Sequence, residues 1–247
     1  MKFTVLSSSS AGNGYLLKAS SGETLIIEAG CSLMAVKKAL DFDLSKIVGC
    51  IVSHSHKDHS GYLYDYQKAG INCCMNDQTK QSIFGMAPYH NVNVLQPKKV
   101  YEIGSFKVQP FELKHDVQNF GYLLDHPESG LFPFITDTHY CPFRFPGMNN
   151  ILVEANYSDK IIEEKLLRGT ANMYVRNRVI MSHLEIDTTI DFLKANDLSK
   201  VNNIVLLHLS EGNSNAADFQ KRVQEATGKS VFVAAPGLEI DFNKTSF

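Results

Sequence analysis

One stretch decides most of what this chain can fold into: Ile51-Val52-Ser53-His54-Ser55-His56-Lys57-Asp58-His59-Ser60-Gly61. An apolar run ends there, and three histidines and an aspartate follow within six positions. Such a run, bounded by a turn, reads as a buried strand. A strand that stops at Ser53 delivers the next residues to a tight loop at a sheet edge. His54 and His56 can then share one metal, while Asp58 and His59, past the turn and opening a helix, can face a second. Imidazole and carboxylate suit zinc and other borderline first-row ions. The plain alternative is three unrelated surface histidines, but nothing structural asks for four such groups together. One tight loop cannot surround two ions, so further ligands have to come from elsewhere in the chain.

The rest of the chain supplies a setting for them. Short β-branched or alternating runs recur, among them Thr24–Glu28, Ile47–Ser53, Phe106–Leu113, Phe132–Thr136, Ile151–Glu154 and Ile204–His208. Helical patterns lie between them at Leu33–Leu40, Tyr62–Lys68, Asp159–Arg168, Thr188–Asn196 and Ala216–Thr227. Early strands are hairpin-like, whereas later ones alternate with helices, which fits two sheets with helices outside. A length of 247 residues, 44% of them hydrophobic, suits one α/β domain over 1–247. His115, Asp137 and His208 all fall at the ends of predicted strands, where an α/β protein places its chemistry. His90 and His126 stand beside prolines and read as solvated, and His139 reads as a supporting neighbour of the site.

Composition narrows the partners. A net charge of −2 gives no global positive field for a long polyanion. The five cysteines show no C-x-x-C spacing, and Cys73 and Cys74 on one strand would face opposite ways, so reduced, mostly buried thiols in a cytoplasmic protein are expected. No apolar run approaches a membrane helix, and the N-terminal MKFTVLSSSS lacks a signal-peptide core. Residues 138–150 carry two prolines and a glycine with several aromatics; they read either as a loop covering a core edge or as a lid or dimer contact.

These segments together, SSSSAGNGYLL, LIIEAG, HSHKDH, His115, FITDT, LVEANY, MSHLE and LLHLSEGNSN, resemble the phosphodiesterase branch of the metallo-β-lactamase superfamily. The resemblance implies a four-layer αββα sandwich with two metals at one edge. It implies that His54, His56 and His115 hold one ion, that Asp58, His59 and His208 hold the other, and that Asp137 bridges them. Two zinc ions per chain are expected, with manganese or another divalent ion as alternatives. His183 matches the position of a phosphate-contacting or leaving-group-protonating histidine, and Glu154 that of an acid which orients it. Asp58 is counted with them as catalytic. Arg176 and Arg178 are candidate phosphate contacts. Where the superfamily carries Asp-Ala-Gly this chain has Glu28-Ala29-Gly30, and Glu28 is expected to brace the metal loop at longer reach.

Two substrate classes compete within the branch. Resemblance to phage anti-Pycsar enzymes implies hydrolysis of 3′,5′-cyclic mononucleotides, cyclic pyrimidine nucleotides included, by a homodimer in a host cytoplasm. Resemblance to WalJ-like proteins implies a DNA exonuclease. With no Lys/Arg run to track a polymer, the small cyclic nucleotide is the preferred expectation. A non-catalytic nucleotide-binding module would be signalled by lost ligands, and all seven positions are filled.

Overall fold

The computed structural model describes residues 1–170 and 173–245, the side chains of 173–175 and 178 excepted. The chain begins with an antiparallel run, β1 (Lys2–Ser9), β2 (Gly12–Lys18) and β3 (Thr24–Ile27), and then α1 (Leu33–Ala39). Next come β4 (Ile47–Ile51), α2 (Lys57–Ser60), α3 (Leu63–Lys68), β5 (Cys73–Met75), α4 (Asp77–Phe84) and β6 (Val92–Val94). A second run follows with β7 (Tyr101–Ile103), β8 (Phe106–Leu113), β9 (Asn119–His126), β10 (Gly130–Ile135) and β11 (Asn150–Glu154). The chain continues through α5 (Asp159–Leu167), α6 (Met173–Ser182), α7 (Ile186–Lys194), β12 (Asn203–Leu207), α8 (Ala216–Thr227), β13 (Ser230–Val233) and β14 (Glu239–Asp241).

The strands form two sheets, ordered β14-β1-β2-β3-β4-β5-β6 and β13-β12-β11-β10-β9-β8-β7. Each is half antiparallel and half parallel: β3, β4, β5 and β6 run parallel in the first, and β10 to β13 in the second. Successive side chains on a strand face opposite ways, and the burial follows that rule. Leu25 and Ile27 join Phe106, Phe120, Phe132 and Phe134 between the sheets, while Ile26 turns outward to Val36, Leu63 and Tyr66. Cys73 and Cys74 divide in the same way, and all five cysteines are free and buried. On the far side, Ile190, Leu193, Phe219 and Val223 of α7 and α8 cover the outer face of the second sheet. The result is the single-domain, four-layer αββα sandwich expected from the sequence.

Helix starts follow local chemistry. Ser32, Asn76 and Asn215 cap α1, α4 and α8, each accepting a backbone N–H three residues on. Of the expected loop 138–150, residues 138–149 have no regular structure and Asn150 already opens β11; Cys141, Phe145 and Met148 are buried in the outer core, with Phe143 and Phe145 packed on Phe111, while Tyr140 is exposed. One histidine expected to be solvated is not. His126 is buried rather than solvated, because the β9–β10 hairpin folds its ring onto Phe106 and against the Ser105 hydroxyl at 2.9 Å. Among the described residues no helix is long and apolar enough to cross a membrane.

Candidate metal centre

The parallel strands end at one edge, and the candidate ligands sit on the turns just beyond them. β4 leads to His54, His56, Asp58 and His59, β10 to Asp137, and β12 to His208; His115 lies between β8 and β9. Asp137 and His208 occupy the left-handed backbone region, at φ 49° and 54°, as does Glu28 at 67°. That region is uncommon for non-glycine residues, though Asp and His enter it more readily than most, and such conformations are frequent at functional sites. Asn119 holds Asp137 there by donating to the carbonyls of Thr136 and Asp137, at 2.9 and 2.7 Å. Asn156 donates to the His208 carbonyl at 2.7 Å.

The candidate ligand atoms form three overlapping groups, of which one joins Asp137, Glu154, His183 and His208 and two carry the loop ligands. His54, His56, His115 and Asp137 make one, and Asp58, His59, His208 and Asp137 the other, each with its atoms within 4.8 Å of one another. Asp137 Oδ1 lies 3.3 Å from His59 Nε2, and Asp137 Oδ2 lies 3.7 Å from His54 Nε2, so its two oxygens face the two groups. The buried Nε2 atoms of His54 and His208 lack hydrogen-bond partners, although Asp137 Oδ2 and Asp58 Oδ2 stand 3.7 and 3.3 Å away. Buried polar groups are nearly always satisfied, so two unpartnered ring nitrogens beside carboxylates fit cation ligands.

Charge points the same way. Glu28, Asp137 and Glu154 are buried, and Asp58, partly exposed at the cleft, is the fourth carboxylate beside them. Burial alone raises the Asp137 carboxyl, but His208 and His59 outweigh it and hold it well below the usual range. Burial likewise lowers His59 and His208, yet Asp137 and the other carboxylates hold both well above the ordinary histidine value. His54, with burial dominant, is pushed far down and stays neutral, as a ligand must be. The positive charge these carboxylates draw in can be supplied by protons on the imidazoles or by metal ions at the same nitrogens.

Supporting contacts hold the loop. Glu28 accepts from Ser53 N through both oxygens, at 3.3 and 3.2 Å, and lies 3.5 Å from His59 Nδ1, so the longer acid spans the distance as anticipated. Gly30 allows close approach: a Cβ there would stand 1.7 Å from the Asp58 carbonyl oxygen. Ser53 Oγ lies 2.8 Å from His54 Nδ1.

His183 and Glu154 meet beside the clusters. His183 Nδ1 is 2.7 Å from Glu154 Oε1, and the same oxygen is 3.1 Å from His208 Nδ1. Burial lowers His183, but the Glu154 charge and hydrogen bond prevail and keep its proton on above the usual range. Glu154 itself is fully buried, its other oxygen accepting from Leu184 N at 3.1 Å. A cleft of about 390 Å³ opens over the centre, lined by His56, Asp58, His115, Asp137, His183 and His208, with Ser10, Lys57 and Asp116 at its sides. His139 turns away into a separate cavity beside Tyr157 and Glu185, so it does not support the metal centre. Arg176 is not among the residues lining the cleft, and the Arg178 side chain lies outside the described residues.

Residues 9–139, just over half of the chain, match the metallo-beta-lactamase superfamily profile. The chain belongs to the metallo-β-lactamase superfamily. It is 24% identical over 234 residues to "Exodeoxyribonuclease WalJ" of Streptococcus pneumoniae, covering 86% of this chain and 83% of that protein. It is 23% identical over 253 residues to "Exodeoxyribonuclease YycJ" of Bacillus anthracis, covering 97% and 94%. These relatives fit the phosphodiesterase branch of the superfamily. The solved metallo-β-lactamase fold protein YhfI from Bacillus subtilis superposes with a TM-score of 0.74 at 17% identity, over 97% of this chain and 98% of that one. A metallo-hydrolase fold with a His/Asp centre suited to divalent metal is therefore in hand. The sequence does not single out Asn13, Ser8, Asn119 or Asn156, although SSSSAGNGYLL contains the first two and LVEANY contains Asn156.

Proposed function

We propose that the chain is a metal-dependent phosphodiesterase that holds two zinc-class ions and cleaves nucleotide phosphodiester bonds, with DNA as its substrate. The carrying observation is Asp137, whose two carboxylate oxygens face two separate ligand groups. In this reading His54, His56 and His115 hold one ion, Asp58, His59 and His208 the other, and Asp137 is shared. Ions so held would polarise phosphoryl oxygens and lower the pKa of water between them.

The chain's own groups do the rest. Glu154 holds Nδ1 of His183, which leaves Nε2 to present a proton to the departing oxygen. General acids of this kind are worth about 10²–10⁴ in rate. Lys57, on the cleft wall, adds a positive charge for a phosphate oxygen. Asp58 orients attack from the opposite ligand group, and Glu154, being buried, acts through His183 and His208.

DNA is favoured because the two curated relatives, matched over most of their own length, carry exodeoxyribonuclease names. A second reading, hydrolysis of 3′,5′-cyclic mononucleotides in viral evasion of a cyclic-nucleotide immune signal, draws support from the cleft. Lys57 is the one Lys or Arg among its described lining residues, and Asp116 adds negative charge, an arrangement poor for tracking a polymer. That reading carries with it a cytoplasmic homodimer in which the 138–150 loop closes the neighbouring site. The test is incubation of metal-replete protein with end-labelled single- and double-stranded DNA and, separately, cyclic AMP, CMP, GMP and UMP. Mononucleotide release from DNA is expected. Turnover of cyclic nucleotides alone would move the assignment to the second reading, and turnover of neither would overturn the phosphodiesterase.

A further inference from the structure

One buried network near the centre has no part in the chemistry above. Ser8, Asn13 and Tyr15 come from the β1–β2 hairpin and are 8%, 0% and 1% exposed. The backbone N–H of His208 donates to Ser8 Oγ at 2.8 Å, across 200 residues of sequence. Ser8 Oγ lies 2.7 Å from the Tyr15 hydroxyl, which donates to Asn13 Oδ1 at 3.3 Å. Asn13 Nδ2 then stands 3.3 Å from the Asp58 carbonyl, 3.4 Å from Asp58 Oδ2 and 3.2 Å from His59 Nε2, and also reaches the Ser9 carbonyl at 3.1 Å.

The directions of these bonds are fixed by elementary donor logic. The Ser9 and Asp58 carbonyls only accept, so Asn13 turns its N–H₂ toward them and its Oδ1 toward Tyr15. Oδ1 only accepts, so the Tyr15 hydroxyl donates to it, and Ser8 Oγ, which accepts from the His208 N–H, gives its own proton to the Tyr15 oxygen. Flipping the amide would set its oxygen against the Ser9 and Asp58 carbonyls. The ring of Tyr15 is anchored between the sheets, stacked on Phe3 and edge-on to Phe134 at centroid distances of 5.8 and 5.9 Å. The network therefore runs from one member of the second ligand group, through the core, to the other two.

We propose that Ser8, Tyr15 and Asn13 form a positioning relay that sets the geometry of the second cation site, made by Asp58, His59 and His208, and leaves the first site untouched. The inference rests on the two-ion reading above. Asn13 orients the Asp58 carboxylate with a neutral donor, so it adds no charge to a centre already rich in carboxylates. Losing such supporting contacts typically weakens metal binding about 10–100-fold.

The test follows zinc leaving the zinc-loaded holoprotein when a chromogenic chelator is added. Wild type is expected to release two equivalents in separate phases, with His208→Ala identifying the second-site phase. In Asn13→Ala that phase should accelerate about 10–100-fold, and in Tyr15→Phe and Ser8→Ala about tenfold, with the first-site phase unchanged. Tyr15→Phe keeps the ring packing, so it tests the hydroxyl without endangering the fold. Unchanged second-site release in Tyr15→Phe and Ser8→Ala, or equal acceleration of both phases, would overturn the relay alone. Fewer than two equivalents from wild type would overturn the two-ion reading and the relay with it.

Discussion

The two ligand groups that meet at Asp137 are built differently. His56, in the first, is 36% exposed and leans on Asp116, itself 58% exposed, at 3.4 Å. His54 and His115 beside it are 0% and 1% exposed. In the second group His59 and His208 are 1% and 2% exposed and Asp58 20%, and Glu28, Asn13, Ser8, Asn156 and Glu154 all contact that group. Many fixed contacts pre-organise ligands, whereas a ligand at a solvent-facing rim can move. The second site should therefore hold its ion more tightly, and the first should be where solvent and substrate gain access.

Four substitutions would break or sharpen that contrast. Asp137→Ala removes the group both sites share, so turnover should fall by on the order of a thousandfold, the scale of losing a key electrostatic contact, and elemental analysis should find ions lost from both sites. Retention of two ions would show that the carboxylate is not shared. His183→Ala should lower kcat about 10²–10⁴-fold while both ions stay; loss of an ion would assign His183 to a metal instead. Glu28→Gln should loosen the second ion about 10–100-fold in chelator competition and spare the first. The smallest effect belongs to Asp116→Asn. An exposed ion pair is worth at most about 1 kcal/mol, so first-site release should change by no more than about fivefold.

How much of this was written plainly in the sequence depends on chain distance. Four ligands lie within His54–His59, and strand ends at His115, Asp137 and His208 mark the other three, because a buried strand and its exposed end leave a clear apolar-to-polar boundary. The supporting asparagines left no such mark. Asn13 acts only because the β1–β2 hairpin carries it to Asp58, 45 residues away, and single polar residues in turns have no periodicity to read. Among the elements, α6 escaped notice because its apolar and polar residues are spread around the helix, and α4 because DQTKQSIF is nearly all polar. The strands β6, β7 and β14 are three residues each, too short to show alternation. His126 was misjudged because a neighbouring proline suggests an exposed turn, while the hairpin in fact buries the ring.

The most direct test of the central claim is the metal content of the purified, metal-replete protein, measured by elemental analysis against protein concentration. The account predicts two zinc-class ions per chain, falling to one in His208→Ala. One ion or none in the wild-type chain would contradict it.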